Sequence, residues 1–289
     1  MTGAVGDRLA LGDRLAARAL DTVGHALRTG AMQVSLKGAG DLVTDVDLAL
    51  EAMLTRAIAA AFPDDAVLGE ERGGALPGDG FGWLLDPVDG TVNFAHRLGY
   101  VCTSIALVRG GEVIAAWIVD PLLAEVFHAG PDGALRIRPD RGATAMAPGA
   151  QRVVGIGFSD RHDPALAAAV VAALGAEGIE FRRLGAGALC LAHVAAGRLD
   201  AYLEPHMNLW DGAGGLFLAR AAGAVTLPYP LTGTGGVVFA AAPDIAPRLL
   251  EILPFPFSGP PCAGMARPNG RLDSTARSPI PTDPQETRE

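Results

Sequence analysis

The chain reads as an α/β protein on three observations. Helix-period and strand-like segments alternate along most of its length, and 49% of its 289 residues are hydrophobic. Its acidic residues gather where buried strands stop or helices begin, which is where α/β folds build their sites.

Leu9, Leu11, Leu15, Ala16, Ala19, Leu20, Val23 and Leu27 recur near helical spacing, so residues 7–29 read as an amphipathic helix ended by Gly30. The echo of GDRLA at 6–10 and 12–16 is six residues apart, does not fit a helical repeat, and reads as coincidence. SLKGAGDLVTDVD reads as an extended segment with a Gly turn, leading into a helix from about Asp45 to Phe62. Ala66–Gly69 reads as a short strand, RGGALPGDG as a flexible connection, and Phe81–Leu85 as a buried strand. CTSIALVRGGEVIAAWIVD then gives two strands around an RGGE hairpin, and AEVFHAG a third. Beyond it the spacing predicts a helix near 164–174, a strand near 179–183, a helix over Gly187–Ala196 and a strand over Asp200–Leu203. A helix after Asp211, a strand near 236–240 and a helix near 243–252 complete the series. Residues 1–150 and 151–253 are expected to form two joined halves. The Pro-rich, aperiodic segment 254–289 is expected to be a disordered tail.

With a formal net charge of -9 and scattered basic residues, the chain is not expected to grip nucleic acid. No apolar run approaches the roughly 18 residues of a membrane span, and the N-terminus lacks a signal-peptide layout. Cys102, Cys190 and Cys262 are far apart, without a CxxC pair, so neither a disulfide framework nor a thiolate zinc site is indicated. A reducing, cytoplasmic setting is expected.

The stretch WLLDPVDGTVNF, residues 83–94, carries most of the chemistry. Taken singly, Asp45, Asp47 and Asp211 are ordinary helix caps, and Asp89–Gly90 is an ordinary turn. Asp86 resists that account. A carboxylate flush with a strand as apolar as WLL is partly buried, an unpaired buried charge is very costly, and no Lys or Arg lies between Arg72 and Arg97. A hard divalent cation resolves the problem, because the sequence offers oxygen ligands and not sulfur or a His cluster. Pro87 sharpens the chain so that Asp86 and Asp89 face one point, with the Val88 carbonyl between them. Gly90 permits close backbone approach, and a helical turn after it would aim N–H groups at an anion.

Here the sequence resembles the inositol monophosphatase family of Mg²⁺-dependent, lithium-sensitive phosphatases. WLLDPVDGTVNFAH and LWDGAG match its two signatures, and GEE and DLVTDVD complete the pattern in order across roughly residues 7–252. The resemblance implies a layered αβαβα sandwich, a homodimer, and hydrolysis of a small phosphorylated metabolite with two to three Mg²⁺ ions. It implies that Glu70, Asp86 and the Val88 carbonyl hold a first ion, that Asp86, Asp89 and Asp211 hold a second, and that Glu70 also serves a weaker third. Thr91, hydrogen-bonded to Asp47, would orient the attacking water, and the Gly90 and Thr91 N–H groups would hold the phosphate. Asp89 and Glu204 would bind substrate hydroxyls, Gly185, Ala186 and Gly187 would line the pocket, and Lys37 and Glu71 would stand nearby. His206, near the pocket strand, reads as structural or surface, with contact to the substrate as the alternative.

Ala186 stands where the family often has a hydroxyl residue, and Gly212 replaces a bulkier residue, which implies a loosened helix start. RAAGA, with Ala221 and Ala224, replaces the usual EAGG. An inositol monophosphate is the expected substrate. Histidinol phosphate is the alternative, with 3′-phosphoadenosine 5′-phosphate and fructose 1,6-bisphosphate behind it. Glu204 favours a polyol or an ammonium over an adenine nucleotide.

Overall fold

Helix α1 (Thr2–Thr29) opens the computed structural model, which describes residues 2–38, 41–139, 151–159 and 162–254. Residues 255–289, which hold Cys262 and nearly all of the expected tail, lie outside the described residues. In chain order follow β1 (Val34–Gly38), β2 (Asp41–Thr44), α2 (Asp45–Ala61), β3 (Ala66–Gly69), β4 (Gly73–Gly74), β5 (Phe81–Asp89) and α3 (Thr91–Ala95). Next come β6 (Cys102–Arg109), β7 (Glu112–Asp120), β8 (Glu125–Ala129) and β9 (Arg136–Arg138). The remainder is β10 (Val153–Ile156), α4 (Pro164–Ala176), β11 (Glu180–Arg182), α5 (Gly187–Ala195), β12 (Ala201–Met207), α6 (Leu209–Ala221), β13 (Val225–Thr226), β14 (Gly236–Ala241) and α7 (Ala246–Ile252).

The helix signals work as the sequence suggests. Gly30 closes α1 at φ +68, with its N–H on Ala26 O at 2.7 Å. Asp163 caps α4 through the Ala165 N–H, with Pro164 at the first helical position. Thr44 and Asp47 form a reciprocal capping box at the start of α2. Short strands are where sequence and structure part. β4, β9, β10 and β13, of two to four residues, are too brief for a period-2 pattern to register. α1 starts at Thr2 and not at residue 7, and α6 starts two residues before Asp211.

Five layers follow from what each core contains. A seven-stranded sheet has the order β4-β3-β5-β6-β7-β8-β9, and a five-stranded sheet the order β11-β10-β12-β14-β13. Alternate residues of β5 to β7, among them Trp83, Leu85, Ile105 and Trp117, pack under α1 and α2. The intervening residues, Leu84, Ala106, Ala116 and Ile118, face α5 and α6. The same two helices meet the second sheet through Leu191, Leu216, Tyr202 and Val238. That sheet's far face, with Val154, Leu203 and Phe239, is covered by α4 and α7. The stacking is αβαβα. The central helices are thin because they are rich in Gly and Ala: a Cβ on Gly215 would lie 2.6 Å from the Leu191 Cβ, and one on Gly214 3.3 Å from the Ser104 hydroxyl.

Candidate metal and phosphate site

Three pairings bring distant acids together. β3 runs parallel to β5 with Gly69 opposite Leu85, and the Glu70 N–H continues the ladder to Leu85 O at 3.1 Å. Glu70 therefore lies beside Asp86. Asp86 is opposite Ser104 on antiparallel β6, and the Ser104 hydroxyl donates to Trp210 O at 3.0 Å. That bond holds the first turn of α6, and so Asp211, against the same strand. One carboxylate oxygen from each of Glu70, Asp86 and Asp211 lies within 4.8 Å of the others.

β5 does not stop at Leu85 as expected but runs on to Asp89. Asp86 pairs with Ser104 and Asp89 with Cys102, so β5 holds one extra residue between them, a bulge at Pro87–Val88. Proline is tolerated there because a bulged residue need not donate to the ladder. The extra residue reverses the strand's alternation, and Asp89 opens onto the same cleft as Asp211. Asp89 is not part of the three-carboxylate cluster; its Oδ2 accepts the Ala188 N–H at the start of α5, at 2.7 Å. Gly90 follows at φ +92, where a Cβ would lie 3.0 Å from Gly185 O and 3.1 Å from the Ala186 Cβ.

Electrostatically the cluster is dense in buried acid. Two carboxylates 4.8 Å apart repel by about 3 kcal/mol at an effective dielectric near 20. Burial, then repulsion from Asp211, raises Glu70 to about 7; burial, then Asp89, raises Asp211 to about 7. Burial, then Glu70 and Asp211, pushes Asp86 far above the usual carboxylate range. Burial raises Asp89 to about 7 as well. Lys37 answers with one ammonium, bonded to Glu71 and 3.3 Å from Glu70 Oε1. Asp86 Oδ1 and Asp47 Oδ1 are buried without a hydrogen-bond partner. Stranded carboxylate oxygens beside an oxygen-only donor set fit hard divalent cations.

The other expected positions distribute as follows. Thr91 donates its hydroxyl to Val88 O at 3.1 Å, not to Asp47, whose Oδ2 is taken by the Thr44 N–H and hydroxyl. The implied Thr91–Asp47 hydrogen bond is therefore replaced by the capping box. A cleft of 160 Å³ is lined by Asp89, Gly185, Gly187, Glu204 and Asp211, with His206 among the other wall residues. Ala186 is 1% exposed and lies behind that wall as the N-cap of α5. Gly212 does not loosen α6: Tyr229 fills the space, its hydroxyl 2.8 Å from a Cβ placed there and 2.7 Å from Asn208 O at the N-cap. Cys102 and Cys190 are buried free thiols.

Sequence reasoning missed four supporting residues. Tyr202 donates to Glu204 Oε2 at 2.6 Å, and its place two residues before Glu204 on a strand was the available signal. Asn93 bonds both Tyr100 O at 2.8 Å and Leu184 O at 2.7 Å, tying the Gly90 turn to the Gly185 segment. Arg183 lines the cleft, and Glu51 is buried with its carboxylate on the Glu71 and Arg72 N–H groups; neither carried a local signal.

Among the described residues no helix is long and apolar enough to cross a membrane. The solved structure of the extragenic suppressor protein suhB from Bartonella henselae superposes with a TM-score of 0.76 at 28% identity, covering 86% of this chain and 98% of that one. Inositol monophosphatase from Anabaena (Nostoc) sp. PCC 7120 gives 0.72 at 28%, covering 86% and 96%. In sequence the chain is 38% identical over 230 residues to the inositol-1-monophosphatase of Mycobacterium bovis, covering 74% of this chain and 78% of that protein. It is 35% identical to the Nus factor SuhB of Escherichia coli K12, covering 77% and 85%. The profile of the Inositol monophosphatase family matches residues 9–254, the span that holds every carboxylate of the cluster and both sheets; the chain belongs to that family.

Proposed function

We propose that the chain is a Mg²⁺-dependent phosphomonoesterase acting on an inositol monophosphate. The observation that carries the reading is the Glu70–Asp86–Asp211 cluster, three carboxylates within 4.8 Å at the edge of a polar cleft. Similarity to proteins named inositol-1-monophosphatase supports the substrate class. Two to three ions are part of the proposal, with Glu70, Asp86 and the Val88 carbonyl at one and Asp86, Asp89 and Asp211 at the other. When bound, such ions withdraw charge from phosphoryl oxygens and acidify a water.

The chain's own groups supply position. Gly90 and Thr91 begin α3, where the first N–H groups have no intrahelical partner and can meet phosphate oxygens. Thr91, anchored on the Val88 carbonyl, holds its hydroxyl oxygen as an acceptor that orients the attacking water. Asp47 is a helper of Thr91 only: its carboxylate, raised to about 6 by burial, is held in the capping box and does not line the cleft, so no proton is routed to it. Glu204, steadied by Tyr202, accepts hydrogen bonds from substrate hydroxyls, and Gly185 and Gly187 leave room for the ring. The reading includes a homodimer, which sedimentation would test.

Phosphate release from inositol 1-phosphate, histidinol phosphate and 3′-phosphoadenosine 5′-phosphate, with Mg²⁺ or with EDTA, tests the proposal. The expected result is Mg²⁺-dependent turnover, fastest on the inositol ester. Preference for histidinol phosphate would move the substrate and keep the chemistry. No release from any ester would overturn the enzyme reading and leave a catalytically idle metal- or anion-binding protein.

A further inference from the structure

Glu51 lies on α2, one turn after the capping box, and is 0% exposed. Each carboxylate oxygen serves one amide: Oε2 accepts the Glu71 N–H and Oε1 the Arg72 N–H, both at 2.8 Å. Those are the two residues directly after Glu70. The space is made by Gly69, the residue directly before it, where a Cβ would stand 2.5 Å from the Glu51 Cδ and 2.6 and 2.7 Å from its oxygens. Glu70 is therefore flanked by a glycine that admits the Glu51 carboxylate and by two amides that clamp it.

A buried carboxylate is an expensive way to satisfy two amides, because desolvating the charge costs several kcal/mol. Asp120, also buried, accepts two amides of its own turn, from Leu122 and Leu123, both at 2.9 Å; what sets Glu51 apart is that its amides lie some twenty residues away and directly follow Glu70. Its two hydrogen bonds fix the turn that presents Glu70 to Asp86 and Asp211.

We propose that Glu51 is a positioning residue for the cation site: its carboxylate locks the Gly69–Arg72 turn, aims Glu70 at Asp86 and Asp211, and thereby sets divalent-cation affinity. The inference rests on reading that cluster as a cation site. Groups that hold metal ligands in place typically change affinity 10–100-fold when removed.

The experiment is calorimetric titration of the full-length protein with Mg²⁺, without substrate, for wild type, E51Q, E51A and G69A. G69A keeps the charge but drives a methyl into the carboxylate's place, and the unexceptional φ of Gly69 tolerates alanine, so it isolates position. I58A, a buried truncation on the same helix, controls for loss of stability alone. The expected result is Mg²⁺ binding weakened about 10–100-fold in E51Q, E51A and G69A but not in I58A, with kcat largely recovered at saturating Mg²⁺. E51Q and G69A binding Mg²⁺ within about twofold of wild type would overturn the proposal, and so would an equal loss in I58A. If E51A fails to fold, E51Q and G69A decide. Wild type that binds no Mg²⁺ would sink the cation-site reading itself, a result distinct from loss in the variants alone.

Discussion

The Asp89 carboxylate accepts the Ala188 backbone N–H at 2.7 Å, so one acid of the first sheet caps the helix that begins the cleft wall. A negative charge at a helix start is favourable, and the cap is worth about 1 kcal/mol. Asp89 therefore has two duties that substitution separates. Asn can still accept the amide and buries no charge, so D89N is expected to be at least as stable as wild type in EDTA at pH 8, whereas D89A, which leaves the Ala188 N–H without its partner, is expected to fall about 1 kcal/mol below D89N. Both are expected to lower turnover on the order of 100-fold. Chemical denaturation beside a phosphate-release assay checks the split; D89N with wild-type turnover would remove Asp89 from the chemistry.

Asp86 is 1% exposed, with one oxygen lacking a partner. Its ionised form burdens the metal-free fold, since an unpaired buried charge opposes folding. D86N is expected to abolish Mg²⁺-dependent turnover and yet to melt at or above the wild-type temperature in EDTA at pH 8. A D86N protein that unfolds earlier than wild type under those conditions would show that Asp86 is structural.

The pH dependence has a definite sign. Glu70, Asp89 and Asp211 are raised to about 7 and Asp47 to about 6 in the folded protein, against about 4 when unfolded. The folded state holds these protons more tightly, so their favourable contribution is full below about pH 4 and is lost as pH rises through about 7. In EDTA the melting temperature is expected to fall from pH 5 to pH 8. Added Mg²⁺ should restore it by an increment that grows with pH, as cations replace the departing protons. Melts at four pH values, with and without Mg²⁺, check this; a melting temperature in EDTA that rises across the window would contradict it.

The Tyr202 hydroxyl fixes Glu204 at 2.6 Å, and Gly157 leaves the space both groups occupy. E204Q is expected to change the ranking of esters more than the rate on a generic phosphate ester. Y202F should shift the same ranking more weakly, by about tenfold or less, since it removes one hydrogen bond of about 1 kcal/mol. Kinetics on three esters decide; equal losses on all of them would argue against a specificity role for Glu204.

Much of this was legible along the chain. The WLL strand with acids at its end announced a buried carboxylate in need of a cation, and the structure buries Asp86 beside Glu70 and Asp211. What was not legible depends on register. Nothing in DPVD says that the strand continues through a bulge, because one extra residue shows only against the partner strand. Glu51 looked like any helical acid, since its value lies in two amides some twenty residues away. Thr91 and Asp47 could have met, but Thr44, three residues from Asp47, reaches it first. The helix near 164 was readable, since its Asp163–Pro164 start is a local signal, and β10 was not, because its four residues acquire a role only between β11 and β12.

The Gly- and Ala-rich interior of α5 and α6 acts as a shim that sets how far apart the two sheets stand. Asp211 rides on one of those helices while Glu70 and Asp86 ride on the facing sheet, so the gauge of the spacer also sets how the three carboxylates meet. A single methyl at Gly215, one turn after Asp211 on α6, is expected to push α6 off Leu191 of α5 and so to shift Asp211 against Glu70 and Asp86. Tolerance to mutation should therefore be poorest in the middle of this molecule, at positions that touch nothing chemical.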